Sequence, residues 1–355
     1  MSSLTARQIA LPLEIWMRIC YLACTDTGTT GRTLPLVSRF MYQASKPHRL
    51  RSVAIKGVLQ IVSFVRHLEA LPERHRQVES LYLTTWVEGT PRLDSDDGPM
   101  VQILLDLYRP GTVSRFPGTE DVNDVINSPE ELAAHAIFRM LKCVSSTVKI
   151  LHIYTDFYRD FIFFPLSMDR LEELTFQGPH ESMYKPYVDR LLPCPSLRRL
   201  KMRDVELGSQ GSNTLIPSIA AIAPSLTHLY LELRGVEAWS NTVERRIEQL
   251  LHPPKAENGP RFPYTLQKVY IHPGNGIGPG FCGTYRASVS LQTSYMERFC
   301  LSDPERIIYF PPTPFNSRST RLEGEREWLD RVNGGLGTWD CSKRVLRSAY
   351  DVLGY

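Results

Sequence analysis

A six-residue pattern recurs along most of this chain and restricts the folds open to it. The pattern, L-x-x-L-x-L in its loose form, has apolar residues at its first, fourth and sixth positions. The last two apolar positions alternate as in a strand with one buried face, and the first lies on the turn that enters the strand. The seven copies are residues 50–55, 78–83, 148–153, 171–176, 197–202, 226–231 and 266–271.

Segments with helical periodicity lie between several of these copies. Apolar residues recur at three- and four-residue intervals in residues 57–71, 128–143, 212–223 and 241–252. Strands and helices that alternate at intervals of about 23 to 40 residues are typical of leucine-rich-type repeats, in which each repeat buries its apolar faces against its neighbours. The sequence therefore predicts the α/β class, with an irregular repeat solenoid and a curved parallel sheet.

A doubly wound α/β domain also alternates strands with helices and is the competing interpretation. Such a domain requires continuous Val/Ile runs that are buried on both faces and a glycine-rich turn after the first strand, and neither is evident. The repeat spacing is uneven and leaves the choice open, because one gap runs from residue 78 to residue 148. This gap contains a Gly-, Pro- and Asp-rich insertion at about residues 84–127, which is typical of long loops.

The N-terminal segment 11–24 predicts a helix that is apolar on two neighbouring faces. Pro12 suits the first turn of a helix, Ile15 and Ile19 share one face, and Trp16 and Cys20 share the next. A helix that is apolar over most of its circumference requires cover on two sides. A second predicted helix, residues 34–44, can cover one side, which leaves the other side for a partner. The alternative is that both sides are buried within the chain.

Composition excludes several classes of function. A net charge of +3 is too close to balance for a general nucleic-acid binder, and no Lys/Arg block is interleaved with aromatic residues. No apolar run approaches the roughly 20 residues that a membrane-spanning helix requires. Seven scattered cysteines without a C-x-x-C pair favour a reducing compartment, either cytoplasmic or nuclear or both.

Catalytic and metal-binding patterns are missing from the sequence. The nine histidines are scattered, no H-E-x-x-H pair is present, and no serine lies in a G-x-S-x-G elbow. Residues 53–56 read VAIK, but the other protein-kinase motifs are missing. Gly278, Gly280 and Gly283 fit G-x-G-x-x-G, but Pro279 and the lack of a predicted helix afterwards favour a loop. We expect no catalytic residue, no metal site and no cofactor.

Two N-terminal stretches carry a family resemblance. "LPLEIWMRIC" followed by "LPLVSRFMYQAS" resembles an F-box, the first stretch matching its Leu-Pro-x-Glu-Ile opening and the second its Val-Ser-Arg stretch. Over most of its length the chain is similar to the F-box proteins with degenerate leucine-rich repeats that are abundant in mushroom-forming fungi. The stretch "REWLDRVNGGLGTWD", residues 326–340, also resembles the closing segment of those proteins, although its chemistry assigns it no role.

The resemblance implies a function in ubiquitin transfer. In the family, the N-terminal helices dock on a Skp-type adaptor, which joins the protein to a cullin scaffold and a RING subunit, and the repeats select a protein substrate. The implied organisation is an F-box module at residues 1–48, a leucine-rich-repeat-like solenoid at 49–315 and a C-terminal helical and loop cap at 316–355. The adaptor-binding residues implied by the resemblance are Leu11, Pro12, Glu14, Ile15, Ile19 and Val37.

The outward positions of the predicted strands are candidates for substrate contact. In a repeat solenoid the strands line one wall, and residues between the buried positions face away from the core. The candidates are Tyr82, Tyr154, Arg203, Tyr230 and Tyr270. Tyrosine is enriched at binding surfaces, but aromatic residues also simply suit strands. Two further hypotheses remain: a repeat scaffold that binds an adaptor without ligase function, and an enzyme that uses the long loops as a lid.

Overall fold

The computed structural model describes residues 11–86, 129–155, 166–177, 192–205, 218–233, 247–248, 251, 263–274, 283–310 and 320–340. The predicted insertion at 84–127 lies outside the described residues except for its first three positions.

Three short helices open the described chain: α1 (Leu13–Ala23), α2 (Thr29–Val37) and α3 (Arg39–Ser45). The prediction of a loop followed by one helix over 34–44 is wrong. The Asp26 carboxylate accepts hydrogen bonds from the backbone N–H groups of Gly28 and Thr30, both at 2.9 Å, so α2 starts within the expected loop. Extended Ser38 then ends α2 and caps α3, because its Oγ accepts a hydrogen bond from the Met41 N–H at 3.1 Å.

The helices are attached to the first strand of a sheet. The Ala54 N–H donates to the Thr27 carbonyl at 3.2 Å, and the Ser52 hydroxyl donates to the Asp26 carbonyl at 2.7 Å. The Arg51 guanidinium lies 3.6 Å above the centre of the Tyr21 ring. Backbone groups on the open edge of this strand are thereby partly covered, which a sheet edge requires to avoid pairing with other chains.

Within the described ranges, eight parallel strands form one sheet in the same order as in the chain. The first seven strands coincide with the seven sequence patterns, so that prediction is confirmed. The described strand order contains no reversal, whereas a doubly wound sheet reverses at its switch point. The strands are β1 (Ser52–Lys56), β2 (Ser80–Thr84), β3 (Ile150–Tyr154), β4 (Glu173–Gln177), β5 (Arg199–Val205), β6 (His228–Leu233), β7 (Lys268–His272) and β8 (Ile307–Tyr309).

The eighth strand was not predicted. Ile307 and Tyr309 pair with Val269 and Ile271 of β7, so they occupy the last two positions of the pattern. The first position of that copy is Pro304, where the pattern requires an aliphatic or aromatic residue, so the sequence does not reveal this copy.

The main core lies on one face of the sheet. Pattern residues from β1 to β8 pack there with α4 (Val58–Ala70), α5 (Pro129–Val144) and part of α6 (Gly283–Ser302). Helices α4 and α5 confirm two predicted helices, and residues 218–222 are helical within a third. Helix α6 contradicts the expectation that no helix follows the glycine motif at 278–283.

The opposite face of the sheet is covered by residues 320–340, called here the C-terminal segment. This segment consists of α7 (Thr320–Val332) and a 3-10 turn (Gly337–Trp339). Its two tryptophans, Trp328 and Trp339, are both buried against strand residues.

Candidate protein-binding site

The three N-terminal helices and the residues just before them expose nine large apolar side chains, which we call together the N-terminal surface. Large apolar side chains are normally scattered singly over a protein exterior, so a group of this size on three short helices is typical of an interaction site. Its members are Leu11, Leu13, Ile15, Ile19, Leu22, Leu36, Val37, Phe40 and Tyr42.

Local packing fixes the helices that carry this surface. Trp16 of α1 and Phe40 of α3 meet edge to face, with ring centres 6.1 Å apart. Cys20 and Cys24 fill the interior beneath α1, where burial raises the pKa of both thiols. Gly31 of α2 lies so close to the backbone of Arg49 that no larger residue fits. On the inner stripe of α1, Cys20 is therefore buried within the chain and Trp16 is half-buried.

All six residues that the family resemblance implies for adaptor binding are exposed. Ile15 and Ile19 are 47% and 41% exposed to solvent, and Val37, at the end of α2, is 71% exposed. Helices α1, α2 and α3 contact one another, which brings both parts of the motif into one module. An open groove of about 650 Å³ adjoins this surface and is lined by Pro35, Leu36, Ser38, Arg39, Tyr42, Gln43 and Lys46.

The five predicted substrate-contact residues are arranged differently from the expectation. Tyr82, Tyr154, Arg203, Tyr230 and Tyr270 lie on one face of the sheet, as the alternation predicts, but each is buried. The expectation that they face solvent is wrong because the C-terminal segment covers them.

Aromatic contacts hold the C-terminal segment on this face at two points. Trp328 is fully buried and packs with Tyr82 and Tyr154. Trp339 packs with Tyr230 and Tyr270, whose ring centres lie 6.2 and 5.7 Å away. Aromatic pairs of this kind each contribute about 0.5 to 1.5 kcal/mol beyond the burial of their area.

Ion pairs join the same two layers. Lys201 Nζ of β5 donates to Glu327 Oε2 of α7 at 2.8 Å, and Lys56 Nζ of β1 donates to Glu325 Oε2 at 2.7 Å. Burial alone raises the pKa of Glu327, but the charges of Lys201 and Arg203 more than offset this and hold the pKa at about 2. Glu327 is therefore ionised at neutral pH.

In a third ion pair the sheet supplies the carboxylate and the C-terminal segment supplies the cation. Glu173 of β4 accepts a hydrogen bond from Arg331 Nε of α7 at 2.8 Å, and His152 Nε2 lies 3.7 Å from its other oxygen. Burial raises the pKa of Glu173, whereas the neighbouring His152 and Arg331 lower it to about 2. The sheet thus supplies a lysine to each of two carboxylates of the segment and a carboxylate to Arg331 of the segment.

Arg203 is bound within the sheet. Its guanidinium donates through Nε and an Nη nitrogen to the two carboxylate oxygens of Glu232 on β6, at 2.9 and 3.0 Å. A register irregularity between β5 and β6 lies at this point, where Asp204 adopts a φ of 61°. Arg203 is therefore neutralised by its neighbouring strand and is not an open cation.

Sequence reasoning missed the residues that cover the sheet. The available signal lies in the stretch 326–340, where two tryptophans stand in a highly charged context. Leu22, Leu36 and Phe40 are not among the predicted adaptor-binding residues, although all three are exposed.

The described residues contain no group of three or more His, Cys, Asp or Glu side chains placed to hold a metal ion. None of the helices in the described ranges has the length and hydropathy needed to cross a membrane. Comparison of the chain with protein-family models, with curated proteins and with solved structures found no match.

Proposed function

We propose that this chain is the substrate-recognition subunit of an SCF-type ubiquitin ligase. A Skp-type adaptor binds the N-terminal surface and connects the chain to cullin and RING subunits, and a target protein binds the sheet. The chain itself is a receptor without catalytic chemistry. The observation that carries this proposal is the exposure of the apolar side chains on α1, α2 and α3.

The rest of the fold supports a repeat receptor. Each strand pairs with the next one along the chain, and equivalent pattern positions pair directly, as Leu81 does with Leu151 and Leu151 with Leu174. Such regularity is expected of leucine-rich repeats, where each unit contacts only its neighbours. Together with the family resemblance, this arrangement favours an F-box module followed by a repeat solenoid.

The exposed surface is large enough to matter energetically. Full burial of an isoleucine contributes about 1.5 to 3 kcal/mol, and roughly half of this remains available at Ile15 and Ile19, or about 1 kcal/mol each. Association costs on the order of 4 to 15 kcal/mol, so binding requires the whole surface rather than two residues. At about 1 kcal/mol each, the nine exposed side chains supply roughly 9 kcal/mol, which is comparable with that cost.

Capture of a purified Skp-type adaptor tests the proposal. The variant Ile15→Asp with Ile19→Asp places two carboxylates on the N-terminal surface. We expect it to lose the adaptor because binding would have to remove water from both charges. The matched control is Leu59→Asp on α4, which changes an apolar side chain of similar exposure, 43%, outside the surface. It should bind like the wild type.

Two results would count against the proposal. Retention of the adaptor by the double variant, folded as judged by far-UV circular dichroism, would show that the docking surface is elsewhere. If the wild type bound the adaptor but the complex failed to recruit a cullin, the chain would be a scaffold rather than a ligase receptor.

A further inference from the structure

The C-terminal segment contacts the sheet in the manner of a bound peptide. Its side chains reach the face that the sequence predicts for the target, and they do so through complementary groups rather than through a continuous apolar core. Trp328 meets Tyr82 and Tyr154 near the start of the sheet, and Trp339 meets Tyr230 and Tyr270 further along. The two aromatic contacts are therefore separated along the strand order.

The charges of the segment match the charges of the face. Glu325 pairs with Lys56 and Glu327 pairs with Lys201, so two carboxylates from α7 meet two lysines from different strands. Lys201 also lies 4.9 Å from the centre of the Tyr230 ring and donates to Thr338 Oγ1 at 3.1 Å. Complementary charge of this kind selects a ligand more than it stabilises a core.

The fit of the segment is close but incomplete. Trp328 Nε1 is buried and has no hydrogen-bond partner, which is an unfavourable state for an indole donor. At Gly324 a side chain would clash with the ring and hydroxyl of Tyr154, since its Cβ would lie 2.5 Å from the hydroxyl oxygen. The docked segment therefore leaves one buried indole donor without an acceptor.

We propose that the C-terminal segment is an intramolecular competitor of the target, and that the face it covers binds a target peptide in which an aromatic side chain is flanked by carboxylates. This inference rests on the proposed function, since it assumes that the target is a protein bound by the strands. Target binding then requires the segment to leave.

A labelled peptide tests the competition. The probe is a synthetic fluorescein-labelled peptide with the sequence of residues 320–340, and its binding to the full-length chain is measured by fluorescence anisotropy. In Glu327→Lys the segment is repelled by Lys201 while the sheet is unchanged, so we expect the peptide to bind at least tenfold more tightly than to the wild type. The control Arg326→Glu reverses an exposed charge one residue away and should behave like the wild type.

A charge exchange identifies the binding face. The chain with Lys201→Glu should reject the native peptide and bind a peptide that carries Glu327→Lys. If both peptides bound this chain equally, the labelled peptide would be binding elsewhere and the inference would be wrong. The inference would also be wrong if folded Glu327→Lys took up no more peptide than the wild type does.

Hydrogen exchange of the wild-type chain provides a test that needs no variant. The amides of α7 should exchange at least a hundredfold faster than those of β3 to β6, because the segment opens while the sheet stays formed. Equal exchange in the two regions would make the segment a permanent part of the fold and overturn the inference. Failure here leaves the adaptor proposal intact, since Glu327→Lys does not alter the N-terminal surface and Ile15→Asp with Ile19→Asp does not alter the sheet.

Discussion

Acidification should release the C-terminal segment from the sheet, because it protonates Glu327. Its carboxylate is about a quarter exposed and accepts a hydrogen bond from Lys201, with Arg203 and the Tyr154 hydroxyl nearby. Burial raises its pKa, but the two cations lower it to about 2 in the docked segment. In the released segment the carboxyl regains its ordinary pKa of 4.5.

The sign of the effect follows from this difference. A carboxyl whose pKa is lower in the docked state stabilises docking above pH 4.5, and this stabilisation is lost as the pH falls towards 2. The difference corresponds to about 3 kcal/mol, on the order of a hundredfold in the ratio of docked to released segment. Glu173 contributes in the same direction, because Arg331 of the segment is one of the groups that lower its pKa.

Tryptophan fluorescence measures the release. Trp328 is fully buried when the segment is docked, so its emission should shift to longer wavelength as the pH falls from 6 to 3. The contribution of this residue is isolated by subtracting the spectrum of Trp328→Phe, and far-UV circular dichroism identifies the pH range in which the sheet stays folded. Glu327→Gln should be partly released at pH 7 already and should show a smaller change on acidification. Identical pH profiles for Glu327→Gln and the wild type would refute the reasoning.

Two further substitutions test the packing that supports these surfaces, and urea unfolding measures both. Gly31→Ala places a Cβ 2.0 Å from the Arg49 carbonyl oxygen and should lower the free energy of unfolding by about 1 to 3 kcal/mol. The control Gly283→Ala meets no atom within 4 Å and should change it by less than about 0.5 kcal/mol. Equal effects of the two substitutions would contradict the tight contact at Gly31. Glu232→Gln removes the carboxylate that neutralises buried Arg203 and should cost about 3 to 5 kcal/mol, most of which Arg203→Met with Glu232→Leu should recover. A negligible effect of Glu232→Gln would show that the pair is not needed.

The strands were predictable because their signal is local. Alternation of apolar residues over six positions states which side chains point to the core, and β1 to β7 follow it residue by residue. The boundary between α2 and α3 was not predictable in the same way. Residues 34–44 carry a continuous helical pattern, but the Ser38 hydroxyl caps a new helix and the Asp26 carboxylate starts the previous one early.

Residue spacing alone was enough to predict the α/β class, the seven pattern strands and the apolar stripes of the N-terminal helix, because each of these depends on residues close together in the chain. Which apolar and aromatic surfaces stay exposed depends instead on how distant segments pack together. Ile15 and Tyr82 both follow from local periodicity, yet one is exposed and the other is buried beneath Trp328. Cover of this kind comes from a segment more than 200 residues away, and local spacing carries no information about contacts at that distance.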